Sequence, residues 1–360
     1  MTSPPLPGTP YHRLARTDRH RWWRPIVGTV AFLGAYIFIL VAVGCVVLVF
    51  TEAAGLPAGA DGLPDVGPIA GTAALLLSLA ILTPLLFLAA WLIQRRPPGT
   101  LVSVTGRLRL RWLGTCMGVA LFFVLVLIGV GTLIGDDVAP AAATWVGWPE
   151  FLLAALMLVL LVPLQASAEE FLFRGWLLQA IGSYLRGPLV PIALQAVLFG
   201  AAHGWGTPWG FAALAVFGAA TGWLTVRTGG LEAGIALHVL TNLLAFLVAA
   251  ALGGLDTDET LADAPGYLAV LDMAVVCGFA AVVLLLARRR GLTDAVPDPS
   301  PWPPRPAPPP PAYAGLPYGW PAPPPANWPA PPRQGAAQPA APGAVAPPAP
   351  PGVSSEEPAP

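Results

Sequence analysis

The chain has 360 residues, 56% of them hydrophobic and only 10% charged, with a mean hydropathy of +0.68 and a formal net charge of -1. A water-soluble domain carries about 25% charge, so an ordinary soluble enzyme is excluded. The 18 basic residues other than His are all arginine and form no basic patch of the kind that nucleic acid requires, so no nucleic-acid partner is expected. Cys45, Cys116 and Cys277 lie inside apolar runs, where thiols pack as small hydrophobes, and no disulfide framework is expected.

A bilayer-spanning helix needs about 20 predominantly apolar residues. In chain order, the runs 26–50, 69–93, 112–134, 151–168, 189–206, 209–226, 233–252 and 267–287 predict eight spans, with the fifth and sixth short. Five arginines, Arg13, Arg16, Arg19, Arg21 and Arg24, precede the first run, which is too long for a signal-peptide core and reads as a retained anchor.

An eight-span chain puts Arg95, Arg96, Arg107, Arg109, Arg111, Arg186, Arg227 and Arg288–Arg290 on one side. Glu52, Asp61, Asp65, Asp136, Asp137, Glu150, Asp256, Asp258, Glu259 and Asp263 fall on the other. Arginine accumulates in cytoplasmic loops, so both termini are expected in the cytoplasm of a bacterial-type cell membrane. Residues 291–360 hold 26 of the 44 prolines. Such a segment cannot bury enough apolar surface to offset chain entropy, and a disordered cytoplasmic tail is expected, either plain low complexity or a docking segment for an aromatic-groove partner.

The expected fold is thus an all-α polytopic membrane protein of about eight transmembrane helices. It divides into an Arg-rich N-terminus (1–24), N-terminal helices (25–140), a region rich in intramembrane polar residues (141–290) and the tail (291–360). Ionisable groups in a membrane are costly and mark function by default. Here they cluster: Glu169, Glu170 and Arg174 in SAEEFLFRGW, His203 in VLFGAAHGW, and His238 with Asn242 in ALHVLTNLL. Asp272, about a turn and a half from the outer end of the last run, is expected to snorkel to the interface.

Glu170 and Arg174 are four residues apart, as are His238 and Asn242, so each pair shares a helix face. Glu169 lies about 100° around the helix from Glu170, which allows one structural and one catalytic carboxylate. Arg174 holds Glu170 ionised and oriented in this reading, which leaves Glu169 free as a general base. An imidazole can position the attacking water, and His or Asn can donate to a developing oxyanion. Glu169, His203 and His238 are also a chemically sufficient zinc set, but they lack a diagnostic spacing, so zinc is not favoured and no cofactor is expected.

The ordered motifs Glu169-Glu170-x-x-x-Arg174, Phe199-x-x-x-His203 and His238-x-x-x-Asn242 resemble those of the CPBP family, the CAAX protease and bacteriocin-processing membrane proteins of abortive-infection type. The resemblance covers about residues 150–250. It implies an all-helical intramembrane endopeptidase acting on a membrane-associated protein or peptide near the cytoplasmic side of the lipid bilayer. Glu169 is then the base, His203 holds the water, His238 and Asn242 form the oxyanion site, and Glu170, Arg174 and Phe199 support it.

Two other classes stand beside this one: a transporter with a Glu/His proton relay, and a non-proteolytic scaffold or immunity protein recruiting partners through its tail. Straight helices place His203 near the outer face and His238 about two turns from the inner one. The site therefore assembles only if the fifth span ends inside the membrane or the Gly-rich sixth helix tilts.

Overall fold

In a bilayer every backbone N–H and C=O must be satisfied within the protein, so each long apolar run folds as a helix. The computed structural model describes residues 2–55, 65–134, 144–255 and 260–298. The expected tail beyond residue 298 lies outside the described residues, as do the loop acids Asp61, Asp136, Asp137, Asp256, Asp258 and Glu259. Ten α-helices follow in order: α1 Trp23–Ala53, α2 Pro68–Ala80, α3 Leu82–Leu92, α4 Leu110–Ile134, α5 Trp148–Glu170, α6 Leu178–Gly182, α7 Leu189–Ala202, α8 Pro208–Thr228, α9 Glu232–Ala251 and α10 Gly266–Arg289. Among the described residues there is no strand, only the isolated bridges Pro10 with Ala295 and Ser103 with Gly230.

Two of the runs are not straight helices. The second breaks at Ile81 between α2 and α3, because Pro84 has no N–H for the Ala80 carbonyl and its ring crowds that turn. The fourth continues past Glu170 through a π-helical turn, Phe171–Leu177, into α6. Such turns insert one extra residue per turn and occur frequently at functional sites.

Among the described residues, seven helical stretches are long and apolar enough to cross a membrane, one fewer than the eight expected. The exception is α7, whose 14 residues span only about 20 Å. Gly204 adopts φ +95° directly after the last turn, a conformation that ends the helix and suits glycine. An odd number of passes would put the segments flanking the bundle on opposite faces, yet residues 8–11 meet residues 294–296. Gly8 donates to the Val296 carbonyl, Val296 donates to that of Thr9, and Tyr11 donates to that of Asp294. The short α7 therefore serves as the eighth pass, which keeps residues 8–11 and 294–296 on one face.

Asp272 does not snorkel to the interface. It is buried on α10 and its Oδ2 has no hydrogen-bond partner, because this face of α10 packs inward on its neighbours. The largest buried cluster draws on α4, α7, α8, α9 and α10 and includes Phe199, Phe217 and Phe279. Small residues let α7 approach α8 closely, Gly218 lying on Ala196 and Gly222 on Gln195.

The N-terminus forms a strap across one face. Tyr11 Oη donates to the Leu101 carbonyl (2.6 Å), and His12 Nε2 donates to that of Arg186 (3.1 Å). Gly182, at the end of α6, has no room for a Cβ beside the His12 carbonyl. Burial pushes the His12 pKa below its ordinary range, with Arg13 adding to the effect and the Arg186 carbonyl opposing it. A lowered His pKa contributes stability that is present above about pH 6.5 and lost as pH falls through the folded value. Amide exchange at Tyr11–Leu14, corrected for intrinsic rates, is expected to lose protection between pH 7.5 and 5.5. His12→Gln is expected to abolish that pH dependence.

Candidate active site

Each polar side chain is delivered by a different device. Glu169 and Glu170 close α5 just before the π-helical turn; His203 caps α7; His238 and Asn242 occupy successive turns of α9. Gly234 lies against the Glu170 carboxylate with no room for a Cβ, and Thr221 of α8 stands beside it, so these three mark one level in the bundle. His238 is four residues beyond Gly234, a rise of about 6 Å. His203 is eight residues beyond Gln195, which packs one residue along from Thr221, a rise of about 12 Å. The difference closes because the His203 ring folds back one turn, its Nδ1 donating to the Phe199 carbonyl at 2.9 Å. The expected gap of half a bilayer is absent because α7 is short and its terminal side chain points back along the helix.

The two carboxylates are held differently. Glu170 Oε1 accepts from Arg174 Nη1 (2.9 Å) and from His238 Nδ1 (3.0 Å), all three groups being buried. The Arg174 guanidinium also stacks over the Phe199 ring at 4.3 Å, a cation–π contact inside the core. Phe199 in turn stacks on Phe217 (5.5 Å) and meets the edges or faces of Phe173, His203 and His238. It thereby fixes both imidazole planes.

Glu169 Oε1 accepts from Gln165 Nε2 at 2.6 Å. Its Oε2 is buried without a hydrogen-bond partner and faces His238 Nε2 at 3.6 Å and His203 Nε2 at 3.9 Å. Both separations are too long for direct hydrogen bonds. Each ring has its Nδ1 proton committed, His203 to a carbonyl and His238 to a carboxylate, so in the neutral rings both Nε2 atoms are acceptors. Three electron-rich atoms thus surround one point. The His203 side chain is the most open of the three at 24% exposed, against 9% for Glu169 and 4% for His238.

The structure therefore brings together all seven residues singled out in the sequence. Asn242 is the most remote: its Nδ2 donates to Gln165 Oε1 at 3.3 Å and reaches Glu169 only through that amide. Glu169 Oε2 lies 3.6 Å from His238 Nε2 and 3.9 Å from His203 Nε2, against the about 3.3 Å between ligand atoms on tetrahedral bonds of about 2.0 Å. Among the described residues, no group of three or more His, Cys, Asp or Glu is arranged to hold a metal ion.

Three features escape the sequence reading. Gln165 is visible as a polar residue one turn before Glu169, in an otherwise apolar run. Glu232 is buried and paired to Arg109 at 2.6 Å, which ties the start of α9 to that of α4. A 3-10 turn at Leu261–Asp263 grips the loop after His203: Thr207 N donates to the Ala262 carbonyl (2.8 Å) and Thr207 Oγ1 to that of Ala264 (2.9 Å). Nothing in the sequence near residue 260 signals that contact.

Residues 148–244 match the family model described as type II CAAX prenyl endopeptidase Rce1-like, consistent with a CPBP family protein. The match runs from the first residue of α5 to two residues past Asn242. A relative from Bacillus subtilis (strain 168), the uncharacterized protein YyaK, is 36% identical over 99 residues, which are 26% of this chain and 32% of the relative. The chain thus spans about a third of the length of that curated relative. No solved structure matches.

Proposed function

We propose that the protein is an intramembrane endopeptidase of CAAX-protease type, hydrolysing a peptide bond of a membrane-associated protein or peptide by glutamate-activated water. The observation that carries this reading is the Glu169 carboxylate: one oxygen is fixed by Gln165 and the other is aimed, without a partner, between two imidazoles. A water bound there donates one hydrogen to Glu169 Oε2 and the other to His203 Nε2. As Glu169 takes the first proton, the water oxygen bonds to the substrate carbonyl carbon and the carbonyl oxygen becomes an oxyanion. Asn242 Nδ2 donates to that oxyanion, and so does His238 Nε2 once that ring carries a second proton, its Nδ1–H staying on Glu170. Glu169 then returns its proton to the departing amine, and the C–N bond breaks.

The arginine-rich face where residues 8–11 meet residues 294–296 is the cytoplasmic one in this reading. No cofactor takes part, so incubation with 1,10-phenanthroline is expected to change turnover less than about twofold. Loss of activity that added zinc restores would instead assign Glu169, His203 and His238 to a metal. The reaction itself is tested by terminal-peptide proteomics on membranes expressing wild-type protein or Glu169→Gln at matched levels. New peptide ends that vanish in the variant support proteolysis. Identical ends alongside a persisting wild-type phenotype overturn it, in favour of transport or scaffolding.

A further inference from the structure

We infer that Gln165 is a positioning residue that couples the base Glu169 to the oxyanion donor Asn242. This rests on the proteolytic reading above for its catalytic consequence, though not for its geometry. Gln165 is buried on α5, one turn before Glu169. It donates from Nε2 to Glu169 Oε1 (2.6 Å) and accepts at Oε1 from Asn242 Nδ2 (3.3 Å), joining α5 to α9.

The directions of these bonds are forced by chemistry. An ionised carboxylate only accepts, so the amide of Gln165 must turn its N–H toward Glu169 and its carbonyl toward α9. A carbonyl only accepts, so Asn242 must turn its N–H, not its own carbonyl, toward α5. Asn242 Nδ2 carries two hydrogens, of which Gln165 engages one. The second is left for a substrate carbonyl. Without Gln165 the Asn242 amide is free to rotate by 180° and present its oxygen to the oxyanion, and Glu169 is free to turn Oε2 away from the imidazoles. The charge of the base thus sets the polarity of the oxyanion site through one intervening amide.

Gln165→Met keeps the length of the side chain and removes both hydrogen bonds. In proteoliposomes, with an internally quenched peptide ending in a farnesylated CAAX sequence as probe, its kcat is expected to fall about 10- to 100-fold, the cost of misplacing a reacting group by about an ångström. KM is expected to stay within about twofold, since no substrate contact is removed. Because Gln165 acts through Asn242, Gln165→Met/Asn242→Ala is expected to lose no more than the worse single variant, whereas additive losses overturn the coupling. Gln165→Leu, which also lacks both hydrogen bonds, serves as the second variant should the methionine fail to fold, and thermal midpoints in detergent are measured for both.

A readout independent of activity is the infrared carboxylate stretch of Glu169, identified as the band that Glu169→Gln removes. A shift of that band in Gln165→Met is the expected result, and an unmoved band overturns the proposal. A shifted band with undiminished kcat overturns the catalytic role of the contact. A wild-type protein that leaves the peptide uncut excludes this farnesylated substrate, the proteolytic reading being decided by the terminal-peptide comparison above, while the infrared band still decides on Gln165.

Discussion

Glu169→Gln is expected to lower turnover about 10³- to 10⁴-fold while leaving the thermal midpoint close to that of the wild type. The adjacent Glu170→Gln is expected to do the reverse in proportion, losing stability first and activity through it. The difference follows from what each carboxylate touches. A glutamine at 169 still accepts from Gln165 through its amide oxygen, so packing survives, but it cannot take a proton from water, and a positioned base is worth about 10²- to 10⁴-fold. Glu170, by contrast, answers the buried Arg174 and orients His238, so neutralising it leaves an unpaired cation in the core. The two outcomes are read from kcat in proteoliposomes and from unfolding in detergent. A stable, inactive Glu170→Gln beside an active Glu169→Gln would exchange the roles of the two residues.

That assignment of unlike roles to neighbouring glutamates is legible in the sequence, because 3.6 residues per turn separates their directions and Arg174 sits at the spacing that serves Glu170. The helical architecture is legible for the same kind of reason: only helices satisfy a backbone along such apolar runs. What the sequence does not show is how far each helix reaches. The run 189–206 looks like a span by composition, whereas the structure ends α7 at Ala202, where the positive φ of Gly204 stops it. Whether a glycine ends a helix depends on tertiary contacts, here the clamp of the 260–264 segment on the loop after His203. Asp272 shows the same dependence. Its position near a helix end suggests an interfacial carboxylate, but the rotation of α10 that buries it is set by packing against other helices. Gln165 is missed for a different reason: one amide in an apolar run has many structural uses, and only its partners on both sides reveal this one.

Arg174→Met tests the support beneath the site. The variant keeps an unbranched apolar stem of similar length but removes the cation that Glu170 and the Phe199 ring both engage, at 2.9 and 4.3 Å. Breaking one side of a buried ion pair typically costs about 3–5 kcal/mol, because the remaining charge keeps its desolvation penalty. The expected result is a stability loss of that order, together with lost activity, since Glu170 then loses the partner that orients it toward His238 Nδ1. Arg174→Lys is expected to recover only part of it, because an ammonium cannot lie flat on the Phe199 ring while also reaching Glu170. The double variant Glu170→Gln/Arg174→Met removes both charges and is expected to regain most of the stability but none of the activity, since neither the carboxylate behind His238 nor its counter-ion remains. Were Arg174→Met to fold as stably as the wild type, the Glu170–Arg174 pair would be a dispensable helix contact and His238 would take its orientation from the Phe199 and Phe217 rings alone.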